Sequence, residues 1–292
     1  MRKGGSGGDA GAPLAGDRRW RLDKQRLRVQ VAAILSRRLE SALATIWITG
    51  ASSGIGEALA LRLAQDGHEV AASARSADRL ARLSDQGREV EGRIHPYPLD
   101  VTDRPAAAAV LAEIERELGP VDTAVLAAGT HHPVSARDFK AEDLARLVQV
   151  NLLGTANCLE PLLRIMIARR RGRIAIVSSV AGYRGLPTSA YYGATKAALI
   201  NLAEALKFDL DRHGVIMQLI DPGFVKTPLT DQNDFAMPFR IPPEEAARRI
   251  AKGLESTRFE ITFPRRFTYI MKLARCLPYG LYFPLVARAT RK

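Results

Sequence analysis

The stretch Thr49-Gly50-Ala51-Ser52-Ser53-Gly54-Ile55-Gly56 follows an apolar run, residues 44–48, and precedes a segment with apolar residues at helical spacing. This order predicts a strand, a glycine-rich turn and a helix. The glycines allow a tight turn, and the first amides of the helix can face a pyrophosphate, although small residues could also merely join the two elements. The residues expected to bind the phosphates of a dinucleotide are Gly50, Ser52, Ser53, Gly54, Ile55 and Gly56.

Beyond this turn, short apolar segments alternate with segments of helical periodicity. The alternation predicts an α/β fold, a doubly wound parallel sheet of the Rossmann type with helices on both faces. Ligands of such sheets bind at the carboxyl ends of the strands, so site residues are expected just after strands. The predicted strands are residues 44–48, Glu69–Ala74, His95–Leu99, Asp122–Leu126, Arg173–Ser178, Val215–Ile220 and Glu260–Phe263.

The formal charge of +12 is concentrated at the two ends of the 292-residue chain. Residues 1–44 carry ten Lys or Arg against four Asp or Glu, and residues 258–292 carry eight against one. The nearly neutral body argues against a nucleic-acid partner, whereas the basic ends are expected either to contact a membrane peripherally or to remain solvated tails. With only two cysteines, Cys158 and Cys276, no disulfide framework is indicated and a cytoplasmic location is expected.

Three segments follow from these patterns. Residues 1–43 are expected to form a basic, partly disordered N-terminal extension with an amphipathic helix from Arg18 onward. Residues 44–263 are expected to form a single Rossmann-type domain. Residues 264–292 form a basic aromatic appendage whose longest uncharged run is 12 residues, too short to span a bilayer. This appendage is expected to pack within the molecule, cover a neighbouring subunit or lie on a membrane surface.

A second motif, Tyr192-Gly193-Ala194-Thr195-Lys196, opens a predicted helix and places Tyr192 and Lys196 on one helical face. Ser179 stands thirteen residues before Tyr192, at the end of a predicted strand. Together with the glycine-rich turn, this spacing resembles the short-chain dehydrogenase/reductase family over about residues 44–263. The resemblance implies that the lysine holds the nicotinamide ribose, the serine binds the substrate oxygen and the tyrosine exchanges the hydroxyl proton during hydride transfer.

The chemistry of this pair has a physical basis. The pKa of a tyrosine is ordinarily near 10, so proton exchange near neutral pH needs positive charge that stabilises the anion, and Lys196 can supply it. The adjacent Tyr191 and Ser178 do not fit the spacing and are interpreted as packing or supporting residues. Asn151 matches the family's helix asparagine, whose main chain helps hold a water between the lysine and solvent; a solvent-facing asparagine is the alternative.

The residue after the second predicted strand bears on the choice of cofactor. Arg75 follows Ala74, the position where an acid would accept from the ribose hydroxyl of NADH, and a guanidinium pairs well with the 2′-phosphate of NADPH. NADP(H) is therefore expected in preference to NAD(H), which stays possible, unless Arg75 is merely solvated. Asp100 and Val101 resemble the family's adenine-contacting pair, although Asp100 is equally suited to cap the next helix.

After the fourth strand the family usually shows Asn-Asn-Ala-Gly, whereas this chain reads Leu126-Ala127-Ala128-Gly129. Ala128 and Gly129 are still expected to approach the cofactor through their backbone. The asparagine side chains that brace the centre of the sheet are absent, and this departure bears on stability more than on chemistry.

After the sixth strand, the run from Asp221 to Thr227 resembles the family's segment that packs on the nicotinamide, with an ordinary turn as the alternative. Residues 228–243 contain four prolines and several apolar side chains and are interpreted as a lid, which favours a hydrophobic alcohol or ketone as substrate. The residues of the first segment expected to contact the cofactor are Pro222, Gly223, Val225 and Thr227.

These patterns predict an NADPH-dependent oxidoreductase that interconverts a carbonyl and an alcohol on a hydrophobic small molecule, with Tyr192 as acid/base and no metal. The alternatives are a non-catalytic NADP-binding sensor or scaffold, and a membrane-surface interaction protein. The predicted helices Glu142–Arg170 and Ala190–Arg212 resemble the family's dimer-forming pair, so a homodimer or homotetramer is expected.

Overall fold

The computed structural model describes residue 1, residues 44–232 and residues 237–290. Within them, seven parallel strands form one sheet with the order β3-β2-β1-β4-β5-β6-β7. This sheet confirms the predicted doubly wound α/β fold. The predicted helix within residues 18–43 and four residues of the expected lid, 233–236, lie outside the described residues. The strands are β1 (Thr45–Thr49), β2 (Glu69–Ala74), β3 (Arg93–Pro98), β4 (Val121–Leu126), β5 (Gly172–Val177), β6 (Val215–Pro222) and β7 (Glu260–Phe263).

Helices connect the strands, and local sequence determines several of their ends. Asp103 caps α3 by accepting from the Ala106 amide at 2.9 Å, and Ser76 caps α2 by accepting from the Arg79 amide at 3.4 Å. The described helices are α1 (Gly54–Gln65), α2 (Ala77–Gln86), α3 (Arg104–Leu118), α4 (Ala141–Leu147), α5 (Gly154–Arg169), α6 (Ala190–Arg212), α7 (Pro243–Leu254), α8 (Arg265–Arg275) and α9 (Tyr279–Thr290).

The hydrophobic core lies on both faces of the sheet. Along β1, Ile46 and Ile48 belong to one buried cluster and Trp47 belongs to the other. Alternate side chains point to opposite faces of a strand, so burial of both faces explains why these strands are apolar throughout. The indole of Trp47 donates to Ser73 Oγ at 2.9 Å, which satisfies its polar atom inside the core.

The structure differs from expectation at one long helix. The segment predicted as one helix over Glu142–Arg170 consists of α4, a π-helix over Val148–Leu153, and α5. Apolar periodicity does not distinguish an α-turn from a π-turn, because both keep apolar residues on one side over a single turn. The π-helix contains Asn151, one of the predicted site residues.

The chain beyond β7 forms two helices, α8 and α9. Among the described helices, none has both the length and the apolar content needed to cross a membrane. Phe267 and Met271 of α8 are buried in the core cluster that contains Trp47, and Tyr282 of α9 is also buried.

Candidate functional site

The glycine-rich turn between β1 and α1 approaches two other predicted site segments. Gly50 and Gly54 have φ angles of 73° and 58°, in the left-handed region that favours glycine. A Cβ on Gly50 would lie 2.8 Å from backbone atoms of Ala128, and a Cβ on Gly54 would lie 2.9 Å from Thr227 Cγ2. Ser53 occupies the N-cap position of α1, but within the described part of the chain its side chain makes no capping hydrogen bond. Positions 50 and 54 have no room for a side chain, and this turn over residues 50–56, the glycine cradle, suits the pyrophosphate of a dinucleotide.

Thr49 braces the end of β4 where the family's asparagines are missing. Its Oγ1 accepts hydrogen bonds from the amides of Ala127 and Ala128, at 3.1 and 3.2 Å. The threonine hydroxyl therefore satisfies backbone donors that would otherwise be buried without an acceptor. The role of Thr49 is not visible in the sequence, because the residue lies on β1 and the amides that it binds follow β4.

Ser179, Tyr192 and Lys196 come together at the carboxyl end of β5. The Lys196 ammonium is buried and donates to the carbonyl of Val177 at 2.8 Å, and its Nζ lies 5.5 Å from the centroid of the Tyr192 ring. Ser179 Oγ accepts from the Ala181 amide at 3.2 Å and lies 3.5 Å from the carbonyl oxygen of Pro222. The two predicted partners of the tyrosine are thus both held in place by backbone groups.

Burial decides the protonation behaviour of this pair. It raises the pKa of Tyr192 to about 12, an effect that the hydrogen-bonding Ser179 side chain opposes and the charge of Asp221 reinforces. Burial also lowers the pKa of Lys196 to about 8. Burial therefore moves the pKa of Tyr192 upward, against the lowering by Lys196 that the sequence predicts.

Asn151 connects the π-helix to the segment after β4 and to α6. Its side chain is fully buried: Oδ1 accepts from the Thr130 amide at 2.7 Å, and Nδ2 donates to the Thr130 carbonyl at 2.9 Å and to Thr195 Oγ1 at 3.0 Å. A Cβ on Gly129 would lie 3.4 Å from Asn151 Oδ1 and 3.6 Å from Lys196 Nζ. Gly129 thus places the end of β4 directly beside the lysine, and Asn151 does not face solvent.

The two residues next to the motif make structural contacts. Tyr191 is fully buried and its hydroxyl donates to the carbonyl of Lys140 at 2.9 Å. Ser178 Oγ donates to the carbonyl of Lys196 at 2.8 Å, which holds the first turns of α6 against β5. These contacts are those of supporting residues, as the motif spacing indicated.

Two groups near Tyr192 were not assigned a role from the sequence. The ring of His131 packs edge-on against the Tyr192 ring, with 4.9 Å between centroids, and it is buried. His131 follows β4 by a few residues, so a search for polar residues after strands would have found it. Asp221, the residue before Pro222, was quoted only as part of a motif.

Asp221 is a buried carboxyl at the end of β6. It has no exposed surface, and neither of its oxygens has a hydrogen-bond partner among the described residues. Burial, with a smaller contribution from the charge of Glu260, raises the pKa of Asp221 to about 7. The nearby Tyr183 hydroxyl, which donates to Glu260 at 2.6 Å, opposes this rise in the pKa of Asp221.

The predicted adenosine-binding residues lie at the ends of β2 and β3. Arg75 is exposed directly after β2, and its charge contributes to a lowered pKa of Asp100, for which the main cause is the hydrogen bond from the Thr102 amide. The suggested capping role of Asp100 is wrong, because Asp103 caps α3. Val101 is buried, and its carbonyl accepts from Asn157 Nδ2 at 2.9 Å.

The segment after β6 is tied to both the sheet and the lid. The Gly223 amide donates to the carbonyl of Phe263 at 2.7 Å, and Thr230 Oγ1 donates to the carbonyl of Val225 at 2.6 Å. Val225 also pairs with Ile241 in an isolated parallel bridge. These contacts hold Thr227 against Gly54, so the first and last predicted cofactor segments meet.

Comparisons with known proteins agree with this geometry. The short chain dehydrogenase family model matches residues 44–236. An uncharacterized oxidoreductase of Myxococcus xanthus is 36% identical over 252 residues, which are 86% of this chain and 99% of that protein. The 3-oxoacyl-[acyl-carrier-protein] reductase FabG of Thermotoga maritima is 35% identical over 185 residues, 63% of this chain and 75% of that protein.

The fold is also similar to solved structures. A variant of actinorhodin polyketide ketoreductase, determined with NADPH, superposes with a TM-score of 0.69 at 25% identity, covering 76% of this chain and 96% of the ketoreductase. The family model, the oxidoreductase relatives and the shared architecture lead to one conclusion. The chain is an oxidoreductase and belongs to the short-chain dehydrogenase/reductase family.

Proposed function

We propose that this chain interconverts a carbonyl and an alcohol on a hydrophobic small molecule, with NADP(H) as cofactor and Tyr192 as the group that exchanges the proton. One observation carries the proposal. Ser179, Tyr192 and Lys196 converge at the end of β5, and Gly129 links them to the end of β4, where Ala128 contacts the glycine cradle. The proposed proton-exchanging residue, Tyr192, and the proposed dinucleotide-binding turn therefore lie at the same edge of the sheet.

The protonated form of Tyr192 is the one that can donate a proton when a carbonyl is reduced. A buried tyrosine with a pKa of about 12 holds its proton, so it can donate to an oxygen that gains negative charge. The Ser179 hydroxyl would hold the same oxygen, and Lys196 would supply positive charge beside it. When bound, the nicotinamide supplies or accepts the hydride.

The residues that would hold the cofactor are spread along the edge from β2 to β6. The glycine cradle and the first turn of α1 would bind the pyrophosphate, and Thr227 would close over it from the Gly54 side. Arg75 would pair with the 2′-phosphate, which favours NADP(H) over NAD(H). Asp100, Val101, Pro222, Gly223 and Val225 complete the proposed set. The NADPH in the ketoreductase structure supports this preference.

The segment after β6 supports an apolar substrate. The ring of Phe224 packs on Phe267 with 5.3 Å between centroids, and Phe239 lies 6.2 Å from the same ring while remaining exposed. An apolar cover of this kind fits a hydrophobic alcohol or ketone better than a phosphorylated sugar. The relatives named for 3-oxoacyl and polyketide reduction act on carbonyls and agree with this proposal.

We further propose a homo-oligomer in the cytoplasm. Leu153, directly before α5, and Phe208, within α6, are both exposed apolar side chains, and a second subunit could cover them. Cys158 and Cys276 are both free thiols, as expected in a reducing compartment.

The test is the turnover of Tyr192→Phe, followed as NADPH consumption with a panel of hydrophobic ketones. We expect a loss of about 10²- to 10⁴-fold with unchanged NADPH affinity, because the proton donor is removed and the cofactor site is not. Tyr191→Phe is the matched control and should keep turnover within a few-fold. Near-normal turnover of Tyr192→Phe would exclude the assigned role. A wild-type protein that binds NADPH but reduces none of the panel would favour the scaffold alternative.

A further inference from the structure

Helices α8 and α9 carry an exposed apolar surface made of large side chains. Seven of them have between 54% and 71% of their surface exposed, in a segment of only 26 residues. Single exposed apolar residues are ordinary on a protein surface, but seven within so short a segment indicate an interaction site. The seven residues are Tyr269, Ile270, Leu273, Tyr279, Leu281, Phe283 and Leu285.

The helix pair is anchored to the body of the protein. The Arg184 guanidinium stacks 3.9 Å from the centroid of the Tyr282 ring and donates to the carbonyls of Ala274, Arg275 and Leu277 at the end of α8. The Tyr282 hydroxyl donates to the carbonyl of Gly185 at 2.7 Å. These contacts hold one side of α8 and α9 against the body of the protein, while the seven apolar side chains remain exposed.

Positive charge surrounds this apolar face. Residues 261–292 contain seven Lys or Arg and no Asp or Glu. Arg265, Arg266, Arg275 and Arg288 are exposed, whereas Lys272 pairs with Glu260. Aromatic and aliphatic side chains flanked by arginines are the composition of helices that lie in the interface of an anionic membrane.

We propose that α8 and α9 form a docking surface for an anionic lipid bilayer, on which they lie without crossing it. Helices of 11 and 12 residues are about 16 to 18 Å long, well short of the roughly 30 Å hydrocarbon core. The exposed apolar side chains would enter the headgroup region, and the exposed arginines would pair with lipid phosphates.

Charge favours an anionic bilayer, rather than a second copy of this chain or its own residues 1–44, as the partner of this surface. A two-fold contact would place the cationic face against its own copy, and like charges facing each other oppose association. Residues 1–44 carry ten Lys or Arg against four Asp or Glu, so that segment has the same sign of charge. An anionic lipid surface complements both the positive charge and the exposed apolar side chains of α8 and α9.

Docking at this face would bring lipid close to the substrate-binding segments. Phe267, on the inner face of α8, touches Phe224 after β6 and Phe239 of the lid region. Arg184 and Gly185, which hold α8 and α9, belong to the loop that joins Ser179 to α6. The docking itself does not depend on turnover, so it is measured without substrate.

The test is co-sedimentation of the full chain with vesicles of phosphatidylcholine alone or mixed with phosphatidylglycerol. We expect binding to the mixed vesicles, little binding to phosphatidylcholine, and weaker binding as salt is raised. The double variant Ile270→Glu/Leu273→Glu should bind the mixed vesicles at least about tenfold more weakly, because two exposed apolar anchors are lost.

The matched control is Ala81→Glu/Gln86→Glu. It adds the same two negative charges at exposed positions of α2, which packs on β3 at the opposite edge of the sheet from β7. This control should bind like the wild type. Equal binding of both double variants, or binding indifferent to phosphatidylglycerol, would overturn the proposal. Loss of self-association by Ile270→Glu/Leu273→Glu, with no wild-type binding to lipid, would instead identify a second copy as the occupant.

Discussion

Replacement of Asp221 by asparagine is expected to change how the stability of this protein depends on pH. The carboxyl is fully buried, and its pKa is about 7 in place of the ordinary 3.8. The unfolded chain releases the carboxyl proton at about pH 4 and the folded state at about pH 7, so between these two values the folded state holds a proton that the unfolded chain has lost. Because the folded state binds more protons in this range, the free energy of unfolding falls as the pH rises through it, and Asp221→Asn removes this fall.

The size of the effect follows from the pKa. The two pKa values differ by about 3, and each pKa unit is worth about 1.36 kcal/mol. Complete titration of Asp221 therefore changes the free energy of unfolding by about 4 kcal/mol. Most of this lies between pH 5 and pH 8, where the expected change is roughly 3 kcal/mol. Relative to the wild type, Asp221→Asn should therefore gain roughly 3 kcal/mol in free energy of unfolding on going from pH 5 to pH 8.

The assay is urea denaturation at fixed salt, followed by tryptophan fluorescence, since Trp47 is buried in the core. Comparison of variant with wild type at each pH cancels the titration of all other groups that the substitution leaves alone. Asp209→Asn, at an exposed position of α6, is the control for the loss of a surface aspartate. A difference for Asp221→Asn that stays constant within about 0.5 kcal/mol from pH 5 to pH 8 would refute the argument that Asp221 is held neutral by burial.

Two further substitutions test the cofactor site by fluorescence titration. Arg75→Ala should weaken NADPH about 10- to 100-fold and NADH only about threefold or less, since one charge-assisted pair with the 2′-phosphate is lost; equal losses would show that Arg75 does not select the cofactor. Gly54→Ala should weaken both dinucleotides, because its Cβ would lie 2.9 Å from Thr227 Cγ2 at a φ of 58°. Gly185→Ala, where no atom of the described chain lies within 4 Å of the added Cβ, is the control. Unchanged affinity in Gly54→Ala would place the cofactor elsewhere.

Local chemistry made most of the fold predictable. Two of the predicted strands, Glu69–Ala74 and Glu260–Phe263, have the bounds that the structure shows, and the parallel sheet follows from the alternation of elements. The motif of Tyr192 and Lys196 was recognisable because a four-residue spacing puts two side chains on one face of a helix. These features are properties of short segments.

Short-range patterns in the sequence specify which segments form buried strands, where the glycine cradle lies and which residue types occupy the site, since each depends on neighbours within a few positions. What those residues contact is set by tertiary packing. Thr49 reaches the amides that follow β4 from another strand, and Asp221 of β6 is buried with Glu260 of β7 nearby. The pKa of Tyr192 likewise follows from burial by distant segments, and desolvation depends on every group packed around an atom rather than on its place in the chain.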